Sequence, residues 1–425
     1  MSKYLIIGNS AGGIGAAEAI REVDRAGAIS IVSDEPYPAY SRPLISEYLC
    51  GERNLEGMLY RPSDMYSRNH IETHLGKKVA KLHLGNKQVE LETGEKLNWE
   101  KLLLATGGTP IVPAMEGMGK RGIFTFTALD DAKAIEKLKG QARRVVVIGG
   151  GLIGMSVTEA LVKLGLEVSV VEMVGRVLSA ILDEPASRLV EAALKSAGVK
   201  LFTGKTVKKI LGRGANEEIV GGVELSDGQK LDCDLVIVAI GVSPRTQLAK
   251  DTAIKLNRGI VVDNYMATNS PGVYACGDVA EAYDYIYGAY RLTPIWPNAY
   301  MGGRVAGYNM AGKVTEYQGG TNANSLKYFG LPIVTAGMVN LPSKDGYEVI
   351  STADGNIYKK IVIKDDRIMG IVFMGDIQRS GVIFGLMREG VKVTSFKDNL
   401  LSENFGISCF PDEMRKNKLQ RQGGK

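Results

Sequence analysis

The sequence predicts an α/β chain with two Rossmann-like dinucleotide-binding domains, on three observations. A short apolar strand, Tyr4-Leu5-Ile6-Ile7, runs into Gly8-Asn9-Ser10-Ala11-Gly12-Gly13, then a helical stretch to Val23 and a β-rich run, Ile29–Val32. The same order returns as Val145–Ile148, Gly149-Gly150-Gly151-Leu152-Ile153-Gly154, a helix to Leu164 and Val168–Val171. Strand, glycine turn, helix, strand is a βαβ unit. Glycine is also in excess, 52 of 425 residues, or about 12% against an average near 7%. No collagen period accompanies it, so the surplus belongs in tight turns and where backbone approaches a ligand.

In the second unit, Gly149 makes the turn, Gly151 lets backbone approach a pyrophosphate, and Gly154 allows close helix–strand packing. The N–H groups that open the helix, at Leu152 and Ile153, face the phosphates with the positive end of the helix dipole. Glu172 ends the following strand. A carboxylate there accepts from ribose hydroxyls and repels a 2′-phosphate, which favours NADH over NADPH. The first unit departs from this pattern. Ser10 stands at the second glycine, Ala11 and Gly13 follow, and the position matching Glu172 is Ser33, with Asp34 and Glu35 next. One of those two acids should hold a ribose.

Three later segments add to the pattern. Leu102–Leu104 runs into Ala105-Thr106-Gly107, Leu235–Ala239 repeats that design before Ile240-Gly241, and Val273-Tyr274-Ala275-Cys276 ends in Gly277-Asp278. An acid in the last turn can accept from a polyol chain where glycine admits the ligand. In this order along the chain, the segments resemble the two-dinucleotide flavoprotein reductases of the pyridine nucleotide–disulfide oxidoreductase superfamily, over essentially residues 1–410. The resemblance implies FAD on the first loop (Gly8, Ser10, Ala11, Gly13) and NAD(H) on the second. Val79, Ala105, Thr106, Gly107, Gly277 and Asp278 would complete the FAD site, with Asp278 on the ribityl chain; Ile240 and Gly241 would complete the NAD site. It also places Trp296-Pro297-Asn298-Ala299 beside the flavin ring, opening a helix through Arg304 and Tyr308 whose N-terminus favours negative charge there.

The implied fold is glutathione-reductase-like. FAD-domain sequence spans 1–112 and 245–320, an NAD domain spans 113–244, and an α+β C-terminal domain spans 321–425. That last domain carries strand-like runs at Leu331–Thr335 and Lys360–Ile363 and ends in a basic tail from Met414 to Arg421. In the family it forms a dimer interface or covers the flavin, so a homodimer or a subunit of a larger complex is expected.

The branch of the family follows from missing residues. Disulfide-reducing members need a CxxxxC pair and a C-terminal histidine, and neither is present. The four cysteines lie far apart, and His70, His74 and His83 all fall in the first domain, expected on a solvated connecting region. The segment Tyr40-Ser41-Arg42-Pro43-Leu44-Ile45-Ser46 holds no thiol. Cys50 follows with no neighbouring Lys, His or Arg to lower its pKa, which reads as structural. The stretch resembles the Arg-Pro-x-x-Ser segment of rubredoxin and ferredoxin reductases. There Arg42 would pair with the FAD pyrophosphate and Pro43 lie against the ring. Glu47 and Ser156 stand where those reductases often carry a Lys–Glu pair near flavin N5, so a carboxylate replaces an ammonium and lowers the expected flavin potential.

The expected function is therefore an FAD-dependent NADH:acceptor oxidoreductase that passes single electrons to an iron–sulfur carrier or iron–sulfur subunit. The alternatives are an NADH oxidase that reduces O₂ and a coenzyme A-disulfide reductase-like enzyme. Catalysis would be positioning of FAD and NAD, with Pro43, Glu47, Ser156 and Trp296 near the ring and no side-chain nucleophile or metal. The net charge of +5 is too dispersed for nucleic acid. No apolar run reaches the ~20 residues of a membrane span, the N-terminus lacks signal-peptide character, and unpaired thiols fit a cytoplasmic protein.

Overall fold

Strands buried on both faces need near-continuous apolar sequence, and the two strands that precede the glycine loops have it. In a computed structural model, which describes residues 2–214, 216–343 and 345–416, Ser2–Ile7 lies parallel between Ile29–Ser33 and Lys96–Leu104. Ile71–Leu75 extends the sheet beyond Ile29–Ser33, and Val273–Ala275 joins it beside Lys96–Leu104. The Gly277-Asp278 turn is thereby carried to the same sheet as the first glycine loop. In a second parallel sheet, Arg144–Ile148 lies between Glu167–Glu172 and Leu235–Val238, with Ile123–Thr125 outside the latter.

The two glycine loops are equivalent at atomic level. Ile7 pairs with Val32 and the Gly8 N–H donates to the Val32 carbonyl at 2.8 Å. Ile148 pairs with Val171 and Gly149 donates to Val171 at the same distance. Val32 thus matches Val171 and Ser33 matches Glu172, as the spacing predicts. The loop helices are Ala11–Val23 and Leu152–Lys163.

The chain divides into two units, residues 1–171 with 206–321, and residues 172–205 with 322–425. The first holds both glycine loops. The second holds helix Glu184–Ser196 and a five-stranded antiparallel sheet in the order Ala323–Tyr328, Leu331–Gly337, Arg367–Met374, Ile357–Lys364, Glu348–Asp354. Both strand-like runs expected in the C-terminal region lie inside these strands. Of the basic tail, residues 417–421 lie outside the described residues.

One expectation needs correcting. His74 and His83 are on strands, Ile71–Leu75 and Val79–His83, not on a solvated connection, and only His70 is at a turn. Each strand is five residues long with few buried positions, Ile71 in the first and Val79 and Leu82 in the second, so neither shows a clean period-2 pattern. Among the described residues no helix is long and apolar enough to cross a membrane.

Candidate dinucleotide and flavin site

The first glycine loop has no room for side chains. Gly8 adopts φ +123°, and a Cβ there would lie 2.1 Å from the Ala105 carbonyl oxygen; one at Gly13 would lie 1.9 Å from that of Gly8. Gly149 and Gly154 repeat this geometry with Ala239 in the role of Ala105. Ser10 is the N-cap of helix Ala11–Val23 and makes no side-chain cap bond, and the first turn carries no acid. The opening N–H groups are therefore not met by a side-chain cap, and an anion there complements the dipole. The second loop has Gly151 as N-cap, with no cap side chain at all. Both cradles fit a pyrophosphate.

Around the first loop the predicted residues converge. Asp278 sits in the turn Gly277–Val279 and its carboxylate takes no hydrogen bond among the described residues. Burial pushes its pKa up, and the Arg42 guanidinium partly offsets this. A half-buried acceptor with no protein donor fits a ligand that brings hydroxyls. Arg42 also donates to Glu35 Oε1 and the Thr127 carbonyl, each at 3.0 Å. Asp34 pairs with Arg245 at 2.8 Å. Both candidate ribose acids thus hold a cation, and Arg245 arrives from 211 residues away, beyond any sequence signal. Thr106 is tied to the same segment through the Arg245 carbonyl (2.8 Å), and Gly107 accepts the Arg245 N–H. Val79 is buried and pairs with Leu91.

Trp296 opens a 15-residue helix, Trp296–Met310, with Pro297 in its first turn. Its ring meets Tyr60 edge-on at 5.0 Å, and Arg61 stacks over Tyr60 at 4.3 Å while pairing with Glu18 at 2.6 Å. Asn298 donates to the Thr321 carbonyl at 3.1 Å, and Ala299 packs on Gly277. The helix crosses Ala11–Val23 at very close range: a Cβ on Gly303 would lie 2.0 Å from Gly12 O, and one on Gly307 2.4 Å from Ala16 O. Those two glycines, four apart on one helix face, escaped the sequence reading, and their spacing was the available signal.

Pro43 lies in the one-turn helix Arg42–Leu44, which leads into Ile45–Leu49. Helix Ile45–Leu49 packs against helix Leu152–Lys163, so Glu47 and Ser156 stand on neighbouring elements. Glu47 is paired with Arg53, which folds back onto it; its charge is balanced locally, a feature six residues of separation did not announce. Cys50 receives a neighbour no sequence window shows, Lys163, which pairs with Glu52 at 2.8 Å. Burial nevertheless dominates and raises the Cys50 pKa, and its thiol donates to the Glu47 carbonyl. Cys276 is fully buried beside Gly12, and burial pushes its thiol up to about 12. Neither is a thiolate at neutral pH. A Cys50→Ser protein should therefore reduce ferricyanide with NADH at a rate within about twofold of the parent, measured at saturating NADH. On the NAD side, Ile240 is exposed and Gly241 adopts φ +120°. No cluster of three or more His, Cys, Asp or Glu able to hold a metal occurs among the described residues.

Two equivalent glycine cradles, one beside an unpartnered acid and an aromatic helix start, define a two-dinucleotide flavoprotein oxidoreductase. The chain matches the pyridine nucleotide-disulphide oxidoreductase family over residues 2–303 and the rubredoxin NAD+ reductase C-terminal domain over 323–391. It belongs to the pyridine nucleotide-disulphide oxidoreductase family, and FAD and NAD(H) are its cofactors. It is 31% identical over 395 residues to the NAD(P)H nitrite reductase of Bacillus subtilis, covering 92% of this chain but 48% of that protein. The chain thus spans about half the length of that relative. With the epsilon subunit of NADH-dependent phenylglyoxylate dehydrogenase from Aromatoleum evansii the match is end to end: 30% identity over 411 residues, 96% of each chain. Among solved structures, NADH:rubredoxin oxidoreductase from Clostridium acetobutylicum is 26% identical, with a TM-score of 0.74 over 92% of this chain and 96% of that one.

Proposed function

We propose that this chain is an NADH:acceptor oxidoreductase whose electrons leave singly to an iron–sulfur protein. Its place would be as the NADH-facing subunit of a larger redox complex, or as the reductase of a small carrier. The carrying observation is the thiol-free segment Tyr40–Leu49, followed by Cys50, whose pKa burial raises, while Cys276 is buried beside Gly12 and kept protonated. A disulfide-reducing role lacks its sulfur. The end-to-end match to a subunit of an NADH-dependent dehydrogenase supports the complex, and the C-terminal match to the rubredoxin reductase domain supports a carrier.

Bound FAD supplies the chemistry, taking up hydride as an electron pair and yielding electrons one at a time. The chain's residues bind and orient. The helix start at Ser10–Gly13 holds the FAD pyrophosphate, Asp278 accepts from the ribityl hydroxyls, and Asp34 or Glu35 accepts from the ribose. Gly149–Gly154 and Glu172 do the same for NADH. The N-terminus of helix Trp296–Met310, with Asn298 and Ala299 in its first turn, stabilises negative charge on the ring. The test is anaerobic stopped-flow mixing of NADH-reduced protein with rubredoxin, a [2Fe–2S] ferredoxin and, separately, air-saturated buffer. Reduction of at least one iron–sulfur carrier much faster than the reaction with air is expected. Reaction with air as fast as with any carrier would assign an oxidase instead.

A further inference from the structure

The stretch that follows Glu172 is fastened at three points to the C-terminal sheet, all within the second unit. Glu172 itself accepts from the Val174 N–H at 2.8 Å, and Gly204 donates to the Val174 carbonyl at 3.0 Å. Exposed Asn340, three residues past strand Leu331–Gly337, accepts from the Arg176 guanidinium (3.2 Å) and donates to the Ser179 carbonyl (2.8 Å). Lys360 donates to Asp183 Oδ2 (2.8 Å) and to the Val339 carbonyl (3.1 Å). Tyr358, two residues earlier on the same strand face, donates to the same Oδ2 at 2.8 Å. The other Asp183 oxygen caps helix Glu184–Ser196 through the Ala186 N–H.

These contacts are more than surface decoration. The Lys360 and Asp183 side chains are only 10% and 15% exposed, so the pair has lost most of its water and either partner alone would be stranded. The Arg176 Nε is buried with no hydrogen-bond partner, and the bond from the guanidinium's outer nitrogen to Asn340 orients the group. Between the anchors, buried Leu178 holds φ +52°, a conformation that a side chain of this size keeps only where its surroundings impose it. Residues 173–175, by contrast, are exposed. Val174 among them is nevertheless bonded through both its N–H and its carbonyl, so the backbone from Glu172 to Asp183 is held at successive points.

We propose that Asn340 and Lys360 are positioning residues for the adenosine end of NADH: through Arg176, Ser179 and Asp183 they hold residues 173–183 so that the Glu172 carboxylate meets the ribose. This rests on the reading of Glu172 as the ribose acceptor. It places a specificity function in the C-terminal sheet, outside both glycine loops.

The test compares KM for NADH with KM for reduced nicotinamide mononucleotide, which lacks the adenosine, using ferricyanide as acceptor. Glu172→Ala, Asn340→Ala and Lys360→Met should each raise KM for NADH roughly five- to tenfold with kcat within about twofold. KM for the mononucleotide and the FAD content should not move, and Lys360→Arg should restore most of the NADH affinity. Asn340 is exposed, so its alanine variant removes two bonds without opening the core. If Glu172→Ala raises KM for NADH while Asn340→Ala and Lys360→Met do not, or if those two shift both substrates equally, the positioning role is overturned and the ribose reading stands. If Glu172→Ala itself leaves KM for NADH unchanged, both fall.

Discussion

A Gly303→Ala protein should purify largely without flavin and unfold at a lower temperature than the parent chain. The added Cβ would lie 2.0 Å from the Gly12 carbonyl oxygen and 2.9 Å from Gly12 Cα, contacts with backbone that no rotamer change relieves. Helices Ala11–Val23 and Trp296–Met310 would have to separate by an ångström or more. Such overpacking costs about 1–3 kcal/mol, and its effect on the site is larger than its effect on stability. Gly12 and Gly13 belong to the first phosphate cradle, so moving one helix tilts the N–H groups that must converge on the FAD pyrophosphate. Flavin-to-protein absorbance ratio and thermal unfolding measure the two effects together. Gly381→Ala is the control: it lies in helix Ser380–Arg388 with open space where its Cβ would go, and it should leave flavin content unchanged.

Asp278→Asn should weaken FAD binding and stabilise the apoprotein. The charge-assisted hydrogen bonds that a carboxylate makes to hydroxyls are worth about 1.5–3 kcal/mol, so the Kd for FAD should rise roughly ten- to a hundredfold. The stability effect has the opposite sign. Burial raises the Asp278 pKa above its ordinary 3.8, so over the window between the two values the folded apoprotein binds more protons than the unfolded chain. Its stability from this group therefore falls as pH rises. Asparagine cannot ionise, so the apo variant should outlast the parent at neutral pH, with the advantage closing as pH falls toward 3.8. Calorimetry of both apoproteins at several pH values, beside FAD titrations, reads the two signs. This is the exchange of stability for binding expected where a buried charge waits for its ligand.

Much of the fold was legible because the two βαβ units write themselves in local sequence. Apolar runs, glycine turns and the acid at Glu172 all fall within about thirty residues, and the backbone pairing reproduces their register down to Ser33 opposite Glu172's place. Strands at 71–91 were missed because they are only four or five residues long and the first two bury too few residues to show an apolar alternation. The partners that complete the candidate site were illegible for another reason. Arg245 on Asp34 and Lys163 beside Cys50 are brought together by crossovers of more than a hundred residues, and no spacing encodes them. The Arg53 lock on Glu47 is local, but exposed ion pairs have no sequence pattern strong enough to single them out. The Gly303–Gly307 pair was visible as a small-residue spacing, yet it acquires meaning only once Gly12 and Ala16 lie against it.

The most direct measurement is an anaerobic titration of the purified, FAD-loaded chain with NADH, following the flavin absorbance. With no sulfur taking part, one NADH per flavin should bleach it completely, and reducing the cysteines with dithiothreitol, alkylating them and removing the reagents should leave that endpoint where it was. An endpoint near two NADH per flavin that falls to one after reduction and alkylation of the cysteines would mean that an oxidised sulfur takes up a second electron pair, contradicting a flavin that works without sulfur.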